Sequence, residues 1–133
     1  MTPPAPIAFD ADPSKVSAFL GSASAAELDA LDFGVIGFDG DGVVRRYNAH
    51  ESQMAGLSLD RVVGHPFFTV VAPCMNNFMV AQRFEDIAHA GGSLDDTIDY
   101  VLTLRMRPVK VKLRLLAAAD ASALRYVLVQ RKL

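Results

Sequence analysis

Residues 109–115 have the sequence Val-Lys-Val-Lys-Leu-Arg-Leu, in which apolar and charged side chains alternate without a break. A period of two is typical of a β-strand with one face on a hydrophobic core and the other in water. Two further strand-like segments, at about 95–106 and about 123–132, flank it. Arg107-Pro108 and Asp120-Ala121-Ser122 interrupt the pattern between them. The last third of the chain therefore predicts three consecutive strands joined by short links.

A β-hairpin and two short helices are predicted nearer the N-terminus. The apolar run 33–38 and the short run 43–47 flank an Asp-Gly-Asp-Gly turn. That turn has neither the GK[ST] ending of a phosphate loop nor a GxGxxG spacing at a helix start. Upstream, a short helical pattern follows Pro13, and Ser24 and Glu27 match a capping box at the start of a second short helix. The alternative is a loosely ordered segment rich in alanine and serine.

The middle of the chain combines helical patterns with a broken apolar segment. Ser58 and Gly64 are a cap and a stop for one or two helical turns. Residues 65–74 are apolar but contain two prolines, which predicts a packed irregular connector rather than a long helix or a central strand. An amphipathic helix is predicted from Phe78 to a glycine stop at Gly91. Strands, then helices, then strands predict an α+β domain with a central antiparallel sheet of about five strands flanked by helices.

The composition is typical of one globular domain without a targeting segment. Hydrophobic residues make up 51% and charged residues 21% of the 133 residues, and the formal net charge is -2. Without an excess of positive charge, we expect no nucleic-acid partner and no binding to an anionic membrane. Residues 1–13 carry no positive charge, unlike a secretory signal, and no apolar run approaches the roughly 18 residues that span a bilayer. We therefore expect a cytoplasmic protein, with a tail and cap over residues 1–31 and the main domain over residues 32–133.

The single cysteine, Cys74, limits the sulfur chemistry of the chain. One thiol excludes an intramolecular disulfide and a CxxC metal or redox site. Cys74 is either a small buried hydrophobe or, because a helix is predicted to begin within a few residues, a stabilised thiolate. The spacing of His50, His65 and His89 supports neither a Cys/His nucleophile pair nor a metal site. Both roles of Cys74 stay open on these residues alone.

Tyr47 and Glu51 form a second candidate site, one helical turn apart at the end of the second predicted strand. If the intervening residues fold as a helical turn, a phenol and a carboxyl group approach the same point. The alternative is an edge tyrosine next to a solvated glutamate.

Three motifs occur together along the chain. They are Tyr47-Asn48-Ala49-x-Glu51, then Gly64-x-Pro66-Phe67-Phe68-x-x-Val71-Ala72-Pro73-Cys74 followed by Phe84, and Met106-x-Pro108-x-Lys110-Val111-Lys112. Through them, the stretch from Leu28 to the C-terminus resembles the photoactive yellow protein family, light sensors built on a PAS domain. The Pro-Cys element is specific, because an ordinary PAS domain has no reason to place a cysteine there.

The resemblance implies a PAS fold with an N-terminal cap, and a blue-light receptor rather than an enzyme. It implies a p-coumaroyl group (p-coumaric acid as a thioester) on Cys74, with Tyr47 and Glu51 hydrogen-bonding its phenolate oxygen. Glu51 is expected to be a neutral acid in the dark and to give its proton to the phenolate after light isomerises the double bond. The unpaired carboxylate that remains would loosen the cap. The positions that the resemblance places near the chromophore are Phe67, Phe68, Val71, Ala72, Pro73 and Met106.

Several positions depart from the family's pattern and keep alternatives open. Met75 replaces the usual small polar residue after the cysteine, and Leu102 and Leu104 stand where aromatic residues are common. Ala55 and Leu57 stand where the family often has a threonine and an arginine, so a supporting hydroxyl and a positively charged lid are missing. One alternative is a PAS module without the coumaroyl group that binds a small ligand or a partner protein. Another is a haem-binding PAS domain with Tyr47 or a histidine as axial ligand. We expect a monomer or weak dimer that signals to an unidentified downstream protein.

Overall fold

The computed structural model describes residues 7–103, 108–120 and 123–131. Its α-helices are α1 (Pro13–Ser22), α2 (Ala25–Asp29), α3 (Ala49–Ala55), α4 (Leu59–Val62) and α5 (Ala81–Ala90). Its strands are β1 (Gly34–Phe38), β2 (Val44–Tyr47), β3 (Leu94–Leu102), β4 (Val109–Ala117) and β5 (Arg125–Arg131). A π-helical turn (Phe67–Val71) and a 3-10 turn (Pro73–Met75) lie between α4 and α5. Within these ranges, no helix has the length and apolar character needed to cross a bilayer.

The five strands form one antiparallel sheet in the order β2-β1-β5-β4-β3, which confirms the predicted α+β architecture. The hairpin of β1 and β2 contains a β-bulge, since Gly37 pairs with Arg46 whereas Phe38 pairs with Val44. The extra residue changes the alternation of side chains along β2. Val44 and Tyr47 therefore both lie buried on one face of the sheet.

Each face of the sheet carries its own hydrophobic cluster. One face, which we call the pocket face because the predicted pocket residues lie on it, packs against α4, the two turns and α5. Its cluster contains Tyr47, Phe67 and Val129. The opposite face is covered by the N-terminal residues 7–31, whose Val16 and Leu20 pack with strand residues there. We call this covering segment the cap. The strands are thus sandwiched between a helical layer and the cap.

The cap contains both of the helices that the sequence predicts. The Ser24 hydroxyl accepts a hydrogen bond from the Glu27 backbone N–H at 3.2 Å, and the Glu27 carboxylate accepts one from the Ser24 N–H at 3.0 Å. This reciprocal pair is the capping box, and it confirms the predicted start of α2.

The alternation along β4 holds on the pocket face from Val111 onward, but Val109 is exposed, and the pattern also fails on the other face. Leu113 and Leu115 are buried as predicted, and Lys112 is exposed. Arg114, which the pattern places in water, is buried with only 5% of its surface exposed. The prediction is wrong at this residue because the cap covers the strand here and offers backbone carbonyls to the guanidinium.

The segment between α4 and α5 is more regular than the sequence predicts. Neither a long helix nor a strand runs through residues 65–74, as expected, but two short helical turns take the place of an irregular connector. Helix α5 begins at Ala81 and ends before Gly91, which has the left-handed φ of 69°. Phe78 was predicted on the apolar side of this helix; instead it precedes the helix and is 78% exposed.

Phe38 on β1 is the centre of an aromatic group on the pocket face. Its ring is stacked on Phe67 at 5.3 Å between centroids and meets Phe68 and Phe84 edge-on at 5.3 Å and 5.0 Å. Offset and edge-on ring pairs stabilise a core beyond their buried area. Phe38 therefore joins the sheet to the π-helical turn and to α5.

We expect Phe38→Ala to lower the free energy of unfolding by about 3–5 kcal/mol, because it leaves a cavity among three rings. Urea unfolding followed by circular dichroism measures this change. Phe78→Ala is the matched control, and its exposed ring predicts a change within about 0.5 kcal/mol. Equal effects of the two substitutions would contradict the assignment of Phe38 to the centre of the core.

Candidate functional site

Asn48 builds the turn that connects the two candidate residues Tyr47 and Glu51. It is the N-cap of α3, and its side-chain oxygen accepts from the Glu51 N–H at 3.2 Å and from the Val35 N–H at 2.9 Å. Its side-chain amide donates to the carbonyls of Leu28 and Phe33, both at 2.9 Å. Asn48 is fully buried, so every one of these bonds is shielded from water. The predicted helical turn after Tyr47 is confirmed, and its cap is a residue that sequence reasoning quoted but gave no role.

Glu51 is buried, with 2% of its surface exposed, and therefore is not the solvated glutamate of the alternative interpretation. Arg131 at the end of β5 holds both carboxylate oxygens, with Nη1 to Oε1 at 2.7 Å and Nη2 to Oε2 at 3.0 Å. The sequence did not indicate this partner, which is 80 residues away. The resemblance implies a neutral acid that donates a hydrogen bond, whereas here both oxygens accept from a guanidinium.

Gly34 on β1 lies directly behind the Glu51 carboxyl group. A Cβ atom at this position would come within 2.1 Å of Oε1. The absence of a side chain at Gly34 is thus what allows the carboxyl group to lie against the sheet. Glu51 is confined between this backbone on one side and Arg131 on the other.

Tyr47 is buried on the pocket face and its phenol is neutral. Burial is the main cause that raises its pKa well above the usual value near 10, the negative charge of Glu51 raises it further, and Arg131 opposes this shift. The phenol therefore keeps its proton and can donate a hydrogen bond at any physiological pH.

Cys74 lies in the 3-10 turn, where it is free, half-buried and packed against the same hydrophobic cluster as Tyr47. Its backbone carbonyl accepts from the Tyr100 hydroxyl at 2.5 Å and from the Asn77 amide at 3.2 Å. Asn77 also donates to the Tyr100 hydroxyl at 2.6 Å. These two side chains, which the sequence analysis missed, hold the turn that presents the thiol. Helix α5 begins only at Ala81, so its N-terminus is farther from the thiol than the sequence pattern suggested.

The other predicted pocket residues divide between the cluster and the surface. Phe67, Val71 and Ala72 are buried in the cluster, and Phe68 packs against it. Pro73 is exposed, and Met106 lies outside the described residues. The residues that the structure places in or against this one cluster are Tyr47, Phe67, Phe68, Val71, Ala72 and Cys74. The arrangement is a single thiol at the margin of an apolar group that also contains a protonated phenol.

The histidines do not join this group in a metal or nucleophile site. His65 and His89 are exposed, and His50 is partly exposed. Over the part of the chain that the structure describes, no three His, Cys, Asp or Glu side chains are close enough to hold a metal ion.

Comparison with known proteins assigns the chain to a family. A model of the PAS-fold family matches residues 28–132. The photoactive yellow protein of Rhodothalassium salexigens is 37% identical over 90 residues, which are 68% of this chain and 71% of that protein. The chain belongs to the photoactive yellow protein family. A second photoactive yellow protein, from Halochromatium salexigens, is 36% identical over 96 residues, 72% of this chain and 76% of that protein.

A solved structure of a photoactive yellow protein domain has the same fold. It is the domain from the sensor histidine kinase Ppr of Rhodospirillum centenum, with a TM-score of 0.77 and 38% identity. The match covers 85% of this chain and 97% of that domain. The family resemblance drawn from the three motifs is therefore confirmed, and the chain is a sensor domain of the photoactive yellow protein type.

The raised pKa of Tyr47 predicts how the stability of this protein depends on alkaline pH. The unfolded chain loses the Tyr47 proton near pH 10, before the folded protein does, so stability falls as the pH rises above 10. The loss is at most about 1.4 kcal/mol for each pH unit.

Urea unfolding of the wild type and of Tyr47→Phe between pH 8 and pH 11 tests this dependence. We expect the stability difference between the two proteins to be constant below about pH 10 and to move in favour of Tyr47→Phe above it. Groups that titrate in both proteins cancel from this difference. A difference that does not change with pH would contradict a buried, neutral Tyr47.

Proposed function

We propose that this photoreceptor carries a p-coumaroyl group as a thioester on Cys74, with Tyr47 and Glu51 near its phenolate oxygen. The observation that carries the proposal is that Tyr47 lies in one apolar cluster, the Cys74 thiol packs against the same cluster, and Glu51 is buried in the first turn of the helix that follows Tyr47. In the attachment step, the Cys74 sulfur bonds to the carbonyl carbon of an activated p-coumaroyl compound. The activating group leaves, and the thiol proton goes to solvent or to that leaving group.

The pocket residues supply what a buried phenolate needs. A phenol in water has a pKa of about 10, so the ionised form at neutral pH requires donors that replace water. Tyr47 remains a donor, because its own pKa is raised. Phe67, Phe68 and Phe84 surround Phe38 on the same face and exclude water from that side of the cluster. In a dry environment the hydrogen bonds and charges act more strongly.

Loading the purified protein with activated p-coumaric acid tests the proposed chromophore. We expect a visible absorption band and a gain in intact mass equal to one coumaroyl group, with both changes absent from Cys74→Ala. No band and no mass gain on the wild type would show that the proposed chromophore is wrong. A stable Soret band after addition of haem would favour the haem-binding alternative instead.

The proposed signal is a loosening of the cap after isomerisation and transfer of the Glu51 proton to the phenolate. Asn48 supports this route, because it bonds the backbone N–H of Glu51 and, through its amide, the cap carbonyl of Leu28. A shift of Glu51 therefore acts on a side chain that also holds the cap. The Ppr relative is a domain of a sensor histidine kinase, which supports a downstream signalling protein as the partner of this chain.

Two arginines of the sheet hold the rest of the cap through its backbone. Arg114 Nη1 donates to the carbonyls of Phe9 and Ala11 at 2.9 Å and 2.7 Å, while Asp95 binds the same guanidinium with two contacts of 2.8 Å. Arg46 donates to the carbonyl of Leu20 at 2.9 Å and to that of Ala23. Hydrogen bonds weaken steeply when their distance or angle changes. Movement of the whole cap away from the sheet therefore breaks all of these bonds.

We expect Arg114→Met to release the first residues of the cap, since it removes two charge-assisted hydrogen bonds worth together about 2 kcal/mol or more. Hydrogen exchange followed by mass spectrometry should show faster exchange in peptides that cover residues 7–22. Arg83→Met is the matched control, because Arg83 pairs with Asp96 at the surface. Unchanged exchange of the cap in Arg114→Met would contradict the proposed attachment.

A further inference from the structure

The side chain of Arg131 reaches Glu51 from the sheet. Val127, Val129 and Arg131 alternate along β5 with the same face, and the two valines belong to the pocket-face cluster. The Arg131 side chain is 10% exposed and that of Glu51 is 3% exposed, so their ion pair is shielded from water. The chain thus brings a guanidinium to this site from β5, whereas Leu57, on the helical side, offers no charge.

Arg131 has the geometry of a binding site for the Glu51 carboxylate. The planar guanidinium meets both oxygens at 2.7 Å and 3.0 Å, which is the two-point contact that arginine forms with carboxylates. On its other side, the carboxyl group fills the space that a side chain at Gly34 would occupy and lies directly against the strand. Both the position and the orientation of Glu51 are therefore fixed when it is ionised.

The charges on Glu51, the phenolate oxygen and Arg131 show in which state Arg131 binds the carboxylate. The proposed function places one mobile proton on either Glu51 or the phenolate oxygen of the coumaroyl group. With the proton on Glu51, the phenolate and Arg131 together are neutral. After its transfer to the phenolate oxygen, the Glu51 carboxylate and Arg131 together are neutral. Arg131 therefore compensates the one negative charge in both states, and in the second it does so by direct contact.

We propose that Arg131 receives the Glu51 carboxylate after proton transfer and thereby lengthens the lifetime of the light-activated state. This inference rests on the proposed function. A buried carboxylate without a partner recovers its proton rapidly because its charge is costly. The ion pair with Arg131 lowers the free energy of the buried carboxylate. Return of the proton from the phenol to Glu51 therefore becomes slower. Arg131 is in this sense a positioning residue for Glu51, with no contact to the chromophore required.

Flash photolysis of the loaded protein tests the lifetime. We expect Arg131→Met to return to the dark absorption at least about tenfold faster than the wild type, since removal of one partner of a buried ion pair destabilises by more than that factor. Arg131→Lys keeps the charge but lacks the two-point contact, so its recovery rate is expected to lie between the two. Arg83→Met is the matched control and should recover as the wild type does, because its partner Asp96 is on the surface.

Infrared spectroscopy of the unloaded protein gives a readout that does not depend on the chromophore. We expect Arg131→Met to show the carbonyl band of a protonated buried carboxyl group, because a buried charge without a partner is neutralised. The band should be absent from the wild type and from the double variant Arg131→Met with Glu51→Gln. The double variant also removes the buried charge altogether, so it should fold even if Arg131→Met alone is unstable.

The outcomes of these experiments distinguish the role of Arg131 from the proposed chromophore on Cys74. Loading and a photocycle with unchanged recovery in Arg131→Met and Arg131→Lys would overturn the role of Arg131 while the proposed function stands. Failure of the wild type to take up the coumaroyl group would overturn the proposed function and the claim about lifetime with it. The infrared bands then still decide whether Arg131 holds Glu51 as a carboxylate, and identical spectra of wild type and Arg131→Met would overturn that pairing.

Discussion

The hydrogen bonds of Asn48 join the three layers of this molecule. One small amide uses all four of its hydrogen-bonding positions, two as acceptor toward Val35 and Glu51 and two as donor toward Leu28 and Phe33. Since the residue is fully buried, loss of any one partner leaves a polar group without water to replace it. The sheet, the helix that carries Glu51 and the cap therefore cannot change position independently. In a sensor this is the property that turns a local change of charge into a change at a distant surface.

Periodic and local signals made most of the fold predictable from the sequence. The capping box at Ser24, the hairpin turn after Phe38 and the glycine stop at Gly91 depend on neighbouring residues only, and the structure contains all three. The alternation in β4 predicted its buried face for the same reason. It could not predict the burial of Arg114, because the covering carbonyls of Phe9 and Ala11 lie more than a hundred residues away in sequence.

The candidate site was predictable where the motifs themselves contain it. Tyr47 and Glu51 are separated by one helical turn, and Cys74 follows a proline in a specific apolar context, so the motifs were sufficient to identify them. Arg131 gave no such signal, because an arginine near the end of a predicted strand is usually solvated. Its contact with Glu51 depends on the pairing of β1 with β5, which the sequence does not show. Tyr100 and Asn77 were missed for a similar reason, since the first lies on β3 and the second in the loop before α5.

The contacts between the main domain and the cap are made largely to the backbone of the cap, so they place few limits on its amino-acid sequence. Arg46, Arg114 and Asn48 all bind carbonyl oxygens of the cap, and every amino acid offers the same carbonyl. Most of this attachment therefore does not depend on the outward-facing side chains of α1 and α2, provided that buried positions such as Val16 and Leu20 stay apolar. The exception is Asp29, whose carboxylate accepts from the Ala49 N–H at 2.8 Å. Those outward positions are free to diverge between related receptors. Under the proposed function, such changes would alter the outer surface of the cap without altering the backbone contacts that hold it to the sheet.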